Sequence, residues 1–101
     1  MFLEKETVMM TLKDIPGLEG KYAATSTGHI YSYRMRGLLS EETSNGYKRL
    51  GFSLPLANRT TRSVHRLVCY AFHTENYEPG LEAHHKDDNR ANNRPSNLEW
   101  V

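Results

Sequence analysis

His84 and His85 stand side by side at the head of a polar segment. Asp87, Asp88, Asn89, Asn92, Asn93 and Asn97 follow within thirteen positions of His84, with Arg90 and Arg94 between them. Such a stretch is too polar for a core and unusually dense in ligand-type side chains for a connecting loop. Histidine titrates near neutrality and can take a proton from water, and it also ligates metal ions. A phosphodiester is cleaved by an in-line nucleophile, and a divalent cation can stabilise the charge that builds on phosphorus and on the leaving oxygen. The grouping therefore points to metal-assisted phosphodiester hydrolysis. A calcium loop is excluded by count: with Asp87 at position 1, Ala91 falls at 5, Asn92 at 6 and Leu98 at 12, where an oxygen ligand, a glycine and a glutamate are required.

The rest of the chain must position these groups. Its 101 residues suffice for one small domain or two very small modules that share packing. No apolar run approaches the roughly 18 residues needed to cross a membrane, and Met1–Glu6 lacks the basic and apolar pattern of a secretory signal. Cys69 is the single cysteine, so an internal disulfide and a cysteine-rich zinc site are excluded, and a reducing cytoplasm is expected. The formal net charge of +1 conceals a segregation. Residues 21–73 carry eight Lys and Arg against two Glu, while residues 74–101 carry three against six Asp and Glu. A basic middle suits a polyanion, and an acidic end suits a cation. Arg34, Arg36, Lys48, Arg49, Arg62 and Arg66 are the candidates for phosphate contacts, which give affinity and salt dependence rather than sequence choice.

Periodicity suggests the elements. Lys21–Thr25 and His29–Tyr33 read as strands around the turn Ser26-Thr27-Gly28, and Asn45-Gly46 signals a second hairpin. Tyr47–Leu54 alternates, with Leu50, Phe52 and Leu54 toward the core and Tyr47, Arg49 and Ser53 away from it. Thr60–Val64 reads as another short strand. Val64, Leu67, Val68, Ala71 and Phe72 fit an amphipathic helix with Ser63 as its N-cap. His65, Cys69 and His73 then share the opposite, polar face, a possible zinc set that lacks a fourth ligand. Leu81–His85 and Asn97–Val101 read as strands flanking the polar loop.

The segment Leu81–Trp100 resembles the HNH endonuclease motif of phage and intron-encoded homing endonucleases. Val64–Phe72 resembles the helix that precedes it. Leu12–Tyr22 together with Ser26–Ser32 is similar to the nuclease-associated DNA-binding module that often sits ahead of it, although Leu12 stands where that module usually has Trp. The resemblance implies an α+β fold: a small antiparallel sheet module over 12–56 and a nuclease module over 60–101, a helix followed by an incomplete ββα-metal motif that lacks its final helix, behind a loose leader over 1–11. It implies hydrolysis of double-stranded DNA by a protein of phage or mobile-element origin. By position, His85 is the general base, His84 the metal ligand and Asn97 the asparagine that holds His85, while Asn92 and Asn93 brace the loop. Magnesium or manganese is the implied metal. The family's second protein ligand lies on a helix after the second strand, and the sequence ends at Val101. With His84 as the only ligand, the expectation is weak metal binding and low activity unless another segment or subunit completes the site. The alternative is a DNA-binding remnant without catalysis. Successive residues on a strand point to opposite faces, so His84 and His85 converge on one phosphate only where the strand ends or distorts.

Overall fold

A computed structural model describes residues 10–101. The expected leader lies outside the described residues except for Met10 and Thr11. Thr11 is not loose: its N–H reaches the Ser26 hydroxyl at 2.9 Å, and its carbonyl accepts the Ser26 N–H at 2.8 Å.

Strands β1 (Leu12–Asp14), β2 (Tyr22–Thr25), β3 (Ile30–Ser32) and β4 (Gly37–Leu38) form an antiparallel sheet in sequence order. A second sheet follows, of β5 (Glu41–Ser44), β6 (Tyr47–Leu56) and β7 (Arg59–Ser63). Helix α1 (Val64–Phe72) leads through a short 3-10 turn to β8 (Ala83–His85), and β8 pairs with β9 (Leu98–Trp100). The antiparallel α+β architecture agrees with the expectation. The boundary placed between residues 56 and 60 falls in the turn that joins β6 to β7, inside one sheet.

The Asn45-Gly46 turn carries positive φ at both residues, 52° and 85°, the backbone of a tight hairpin whose twist matches its strands. It fixes the pairing of Ser44 with Tyr47 and of Glu42 with Arg49. Along β6 the simple alternation fails. The register against β7 shifts between Arg49 and Leu54, an irregularity that re-aims side chains. Leu50, Leu54 and Leu56 are buried, whereas Phe52 is 44% exposed and lies against Tyr22.

Ser63 caps α1, its hydroxyl accepting the Arg66 N–H at 3.4 Å. The helix packs on β2 and β6 on one side and on β8 and β9 on the other. For this reason His65 and Cys69 are buried along with Val64, Leu67, Val68 and Ala71, and the expected polar face is an interior one. Ile15, Ala24, Ile30, Leu50, Leu67 and Leu98 belong to one apolar cluster that joins all three sheets. Each of these Leu and Ile side chains contributes about 1.5–3 kcal/mol by leaving water. Among the described residues, no helix is long and apolar enough to cross a membrane.

Candidate active site at the His85 loop

His85 is the last residue of β8 and is buried, with 4% of its surface exposed. Its Nε2 lies 2.7 Å from the Asn93 Oδ1. A carboxamide oxygen only accepts, so this bond places the ring proton on Nε2 and leaves the lone pair on Nδ1. Asn93 is itself buried, at 4% exposure, and the ring it holds lines a cleft of about 340 Å³ with Tyr47, His84, Asp88 and Arg90. An imidazole locked in one tautomer at the edge of a cleft is arranged as a proton acceptor.

The turn that delivers Asn93 is built around Asp87. The Asp87 carboxylate accepts the Asn89 N–H at 2.8 Å, the Asn97 amide at 2.9 Å and the Asn92 amide at 3.0 Å. These donors, the Asn92 amide foremost, hold the Asp87 carboxyl below the usual carboxylate range. Asn97 also donates to the Asn92 carbonyl at 2.9 Å and accepts the Asp87 N–H at 3.2 Å. Asn97 and Asn93 thus exchange the places the resemblance implied. Asn97 makes bonds to the loop and none to His85, while Asn93 makes the bond to His85. The loop closes so that position 93 meets the ring and position 97 sits at its base, a geometry that spacing along the chain does not reveal.

A glycine secures Asn93 from behind. Gly28, at φ +93° in the β2–β3 turn, lies so close to the loop that a Cβ there would sit 2.5 Å from the Asn93 carbonyl carbon. The N-terminal sheet therefore contributes to the site although none of its side chains enters it. Arg90 makes a second tie: its Nη1 donates to the Asn45 carbonyl at 2.8 Å, and its guanidinium lies 4.5 Å over the Tyr47 ring.

His84 keeps the regular alternation and is exposed, opposite Glu99 in the strand pair. Its Nδ1 is 3.2 Å from the Glu99 carboxylate and its Nε2 is 3.8 Å from that of Asp88. Among the described residues, no three His, Cys, Asp or Glu side chains are arranged to hold a metal ion. These residues do not by themselves make a metal centre. The suggested zinc face disperses as well. Cys69 is fully buried, and desolvation with the nearby Glu99 pushes its thiol up to about 12. His73 donates from Nε2 to the Pro95 carbonyl at 2.8 Å, and its own carbonyl accepts the Trp100 indole N–H at 3.1 Å. His65 faces His85.

The basic candidates divide. Arg49, Arg62 and Arg66 line one groove of about 620 Å³ with Tyr47 and His65, and this groove adjoins the His85 cleft at Tyr47 and Ala83. Arg62 pairs with Glu42 at 2.9 Å and Arg66 with Glu82 at 2.8 Å. Exposed pairs of this kind contribute about 0–1 kcal/mol, so either arginine can exchange its partner for a phosphate at little cost. Lys48 donates to the Thr43 hydroxyl at 2.8 Å. Arg34 and Arg36 are exposed in the β3–β4 turn and do not line the groove.

The chain is similar to known proteins in sequence and in fold. The family model for HNH endonuclease matches residues 62–101. The chain is 42% identical over 93 residues to DNA endonuclease I-HmuI of Bacillus phage SP01, an alignment spanning 91% of this chain and 52% of that protein. It is 32% identical over 80 residues to the uncharacterized HNH endonuclease L247 of Acanthamoeba polyphaga mimivirus, spanning 78% of this chain and 20% of that one. A solved structure of DNA binding and cleavage by the HNH homing endonuclease I-HmuI superposes with a TM-score of 0.70 at 41% identity, over 90% of this chain and 52% of that chain. The chain thus spans about half the length of I-HmuI. Residues 62–101 thus form an HNH endonuclease domain, and the likeness to I-HmuI extends beyond it through the N-terminal sheet.

Proposed function

We propose that the chain hydrolyses phosphodiester bonds of double-stranded DNA, with His85 as general base, and that it is of phage or mobile-element origin. The observation that carries the reading is the buried His85–Asn93 bond, which leaves Nδ1 as the proton acceptor at the edge of a cleft. Water positioned in that cleft gives its proton to Nδ1 as it attacks phosphorus. The imidazolium that forms is stabilised through Nε2–H by the Asn93 carboxamide oxygen. The groove of Arg49, Arg62 and Arg66 carries the DNA backbone toward the cleft. Arg34, Arg36 and Lys48 add contacts outside it. The mesh of Asp87, Asn92 and Asn97 keeps the loop closed around Asn93.

HNH nucleases generally depend on a divalent metal, and magnesium or manganese is the proposed ion here. His84 is the one described residue offered as its ligand, and Glu99 already engages it. Magnesium sites usually rely on substrate phosphates as well as protein groups. Without DNA, the chain should therefore bind either ion only weakly. The lack of a three-ligand cluster among the described residues favours, as a second reading, a DNA-binding protein without catalysis.

Supercoiled plasmid separates the two. The purified chain is expected to convert it to open circles with magnesium or manganese and to stop in EDTA. A chain that retards duplex DNA in a gel yet leaves the plasmid supercoiled in both metals would contradict the endonuclease reading and support the second one.

A further inference from the structure

His65 is buried in front of the site, on the first turn of α1, and the chemistry described so far does not use it. Its ring centroid is 4.8 Å from that of His85, with 34° between the planes. Tyr47 stacks on His65 at 5.2 Å and 20° and also lies 6.1 Å from His85 at 38°. The three rings thus form a triangle, each in contact with the other two. The guanidinium of Arg90 lies over the Tyr47 ring at 4.5 Å. The Ser63 hydroxyl, 2.7 Å from the His65 Nδ1, anchors the cluster to the start of α1.

We infer that His65 is a positioning residue for His85: anchored by Ser63 and stacked on Tyr47, its ring fixes the plane in which the His85–Asn93 hydrogen bond forms. This rests on the reading of His85 as general base. The physical need is plain. Rotation about the last side-chain bond of histidine is broad, and one hydrogen bond at Nε2 lets the ring rock and carry Nδ1 with it. A flat group against the face removes that freedom. The group must also be uncharged, because a cation in contact would oppose the imidazolium that forms during proton transfer. His65 meets this condition: desolvation first, then His85 and Arg66, hold it down to about 4.

Two substitutions test the inference. His65→Phe keeps a flat ring against His85, whereas His65→Leu keeps apolar bulk without a plane. In the leucine variant kcat for plasmid nicking should fall roughly 10- to 100-fold with KM nearly unchanged, the usual scale for a group that orients a site residue. His65→Phe should recover most of the loss. A readout that needs no activity accompanies this. The His85 Nε2–H proton should exchange slowly with water in the natural chain and in His65→Phe, and rapidly in His65→Leu. Thermal midpoints identify any variant that fails to fold, and His65→Met, apolar and without a plane, then serves in place of the leucine variant. A leucine variant with natural kcat and slow Nε2–H exchange would overturn the inference. If the natural chain does not nick but exchange still separates leucine from phenylalanine, the positioning of His85 stands and the nuclease reading falls.

Discussion

Gly28→Ala is expected to destabilise the chain by about 2–5 kcal/mol, combining left-handed strain of roughly 1–2 kcal/mol with overpacking of about 1–3 kcal/mol. The new methyl would stand 2.5 Å from the Asn93 carbonyl carbon, 2.6 Å from its oxygen and 3.0 Å from the Arg94 nitrogen. These are backbone atoms, so no side chain can swing aside, and either the β2–β3 turn or the loop must move. For a domain of this size each kcal/mol lowers the thermal midpoint by roughly 4–8 °C. Gly17 supplies the control. It has a similar φ of +87°, but a Cβ there meets nothing within 4 Å. Gly17→Ala should cost only the conformational part, about 1–2 kcal/mol. Equal midpoints for the two variants would show that the contact with Asn93 contributes nothing. Where Gly28→Ala still folds, it should also impair cleavage, because the displaced backbone carries the side chain that holds His85.

His85→Ala is expected to slow DNA cleavage by about 10²- to 10⁴-fold, the usual range for loss of a positioned general base. Affinity for duplex DNA should change little, because the proposed grip lies in the groove of Arg49, Arg62 and Arg66. Removing a buried ring also leaves the Asn93 carboxamide unpaired and the face of His65 bare. The alanine variant will therefore be less stable than the natural chain. His85→Gln separates the two effects: it fills more of the space and can bond to Asn93, but it cannot take a proton at neutral pH. Quantitative nicking rates beside thermal midpoints check this. Cleavage by His85→Gln within about threefold of the natural rate, far inside the range for a lost base, would remove His85 from the chemistry.

Local signals in the sequence located much of this. The Asn45-Gly46 turn is legible because few residue pairs accept two positive φ angles. Helix α1 is legible because Val64, Leu67, Val68 and Ala71 recur at helical spacing. His85 stands out through its neighbours in the polar loop. The details that failed depend on contacts distant in the chain. Phe52 is exposed because β6 shifts register against β7, and an alternating pattern carries no mark of that. His65 and Cys69 are buried because the β8–β9 pair also packs on α1, which periodicity along a helix cannot anticipate. Asn93 and Asn97 are the same residue type four positions apart. Only the fold of the loop decides which one reaches the ring. Gly28 gave the turn signal it should, but its closer task, against a backbone 65 positions away, is a tertiary fact.

The proposed chemistry depends on one proton. Asn93 is held to keep it on Nε2 of His85, so that Nδ1 is free to act as base. Long-range ¹H–¹⁵N correlation spectra of the natural chain at neutral pH report this directly. The predicted pattern is a protonated, pyrrole-type Nε2 and an unprotonated, pyridine-type Nδ1 for His85, giving way to a mixture of tautomers in Asn93→Ala. A proton found on Nδ1 in the natural chain, with Nε2 bare, would contradict the account.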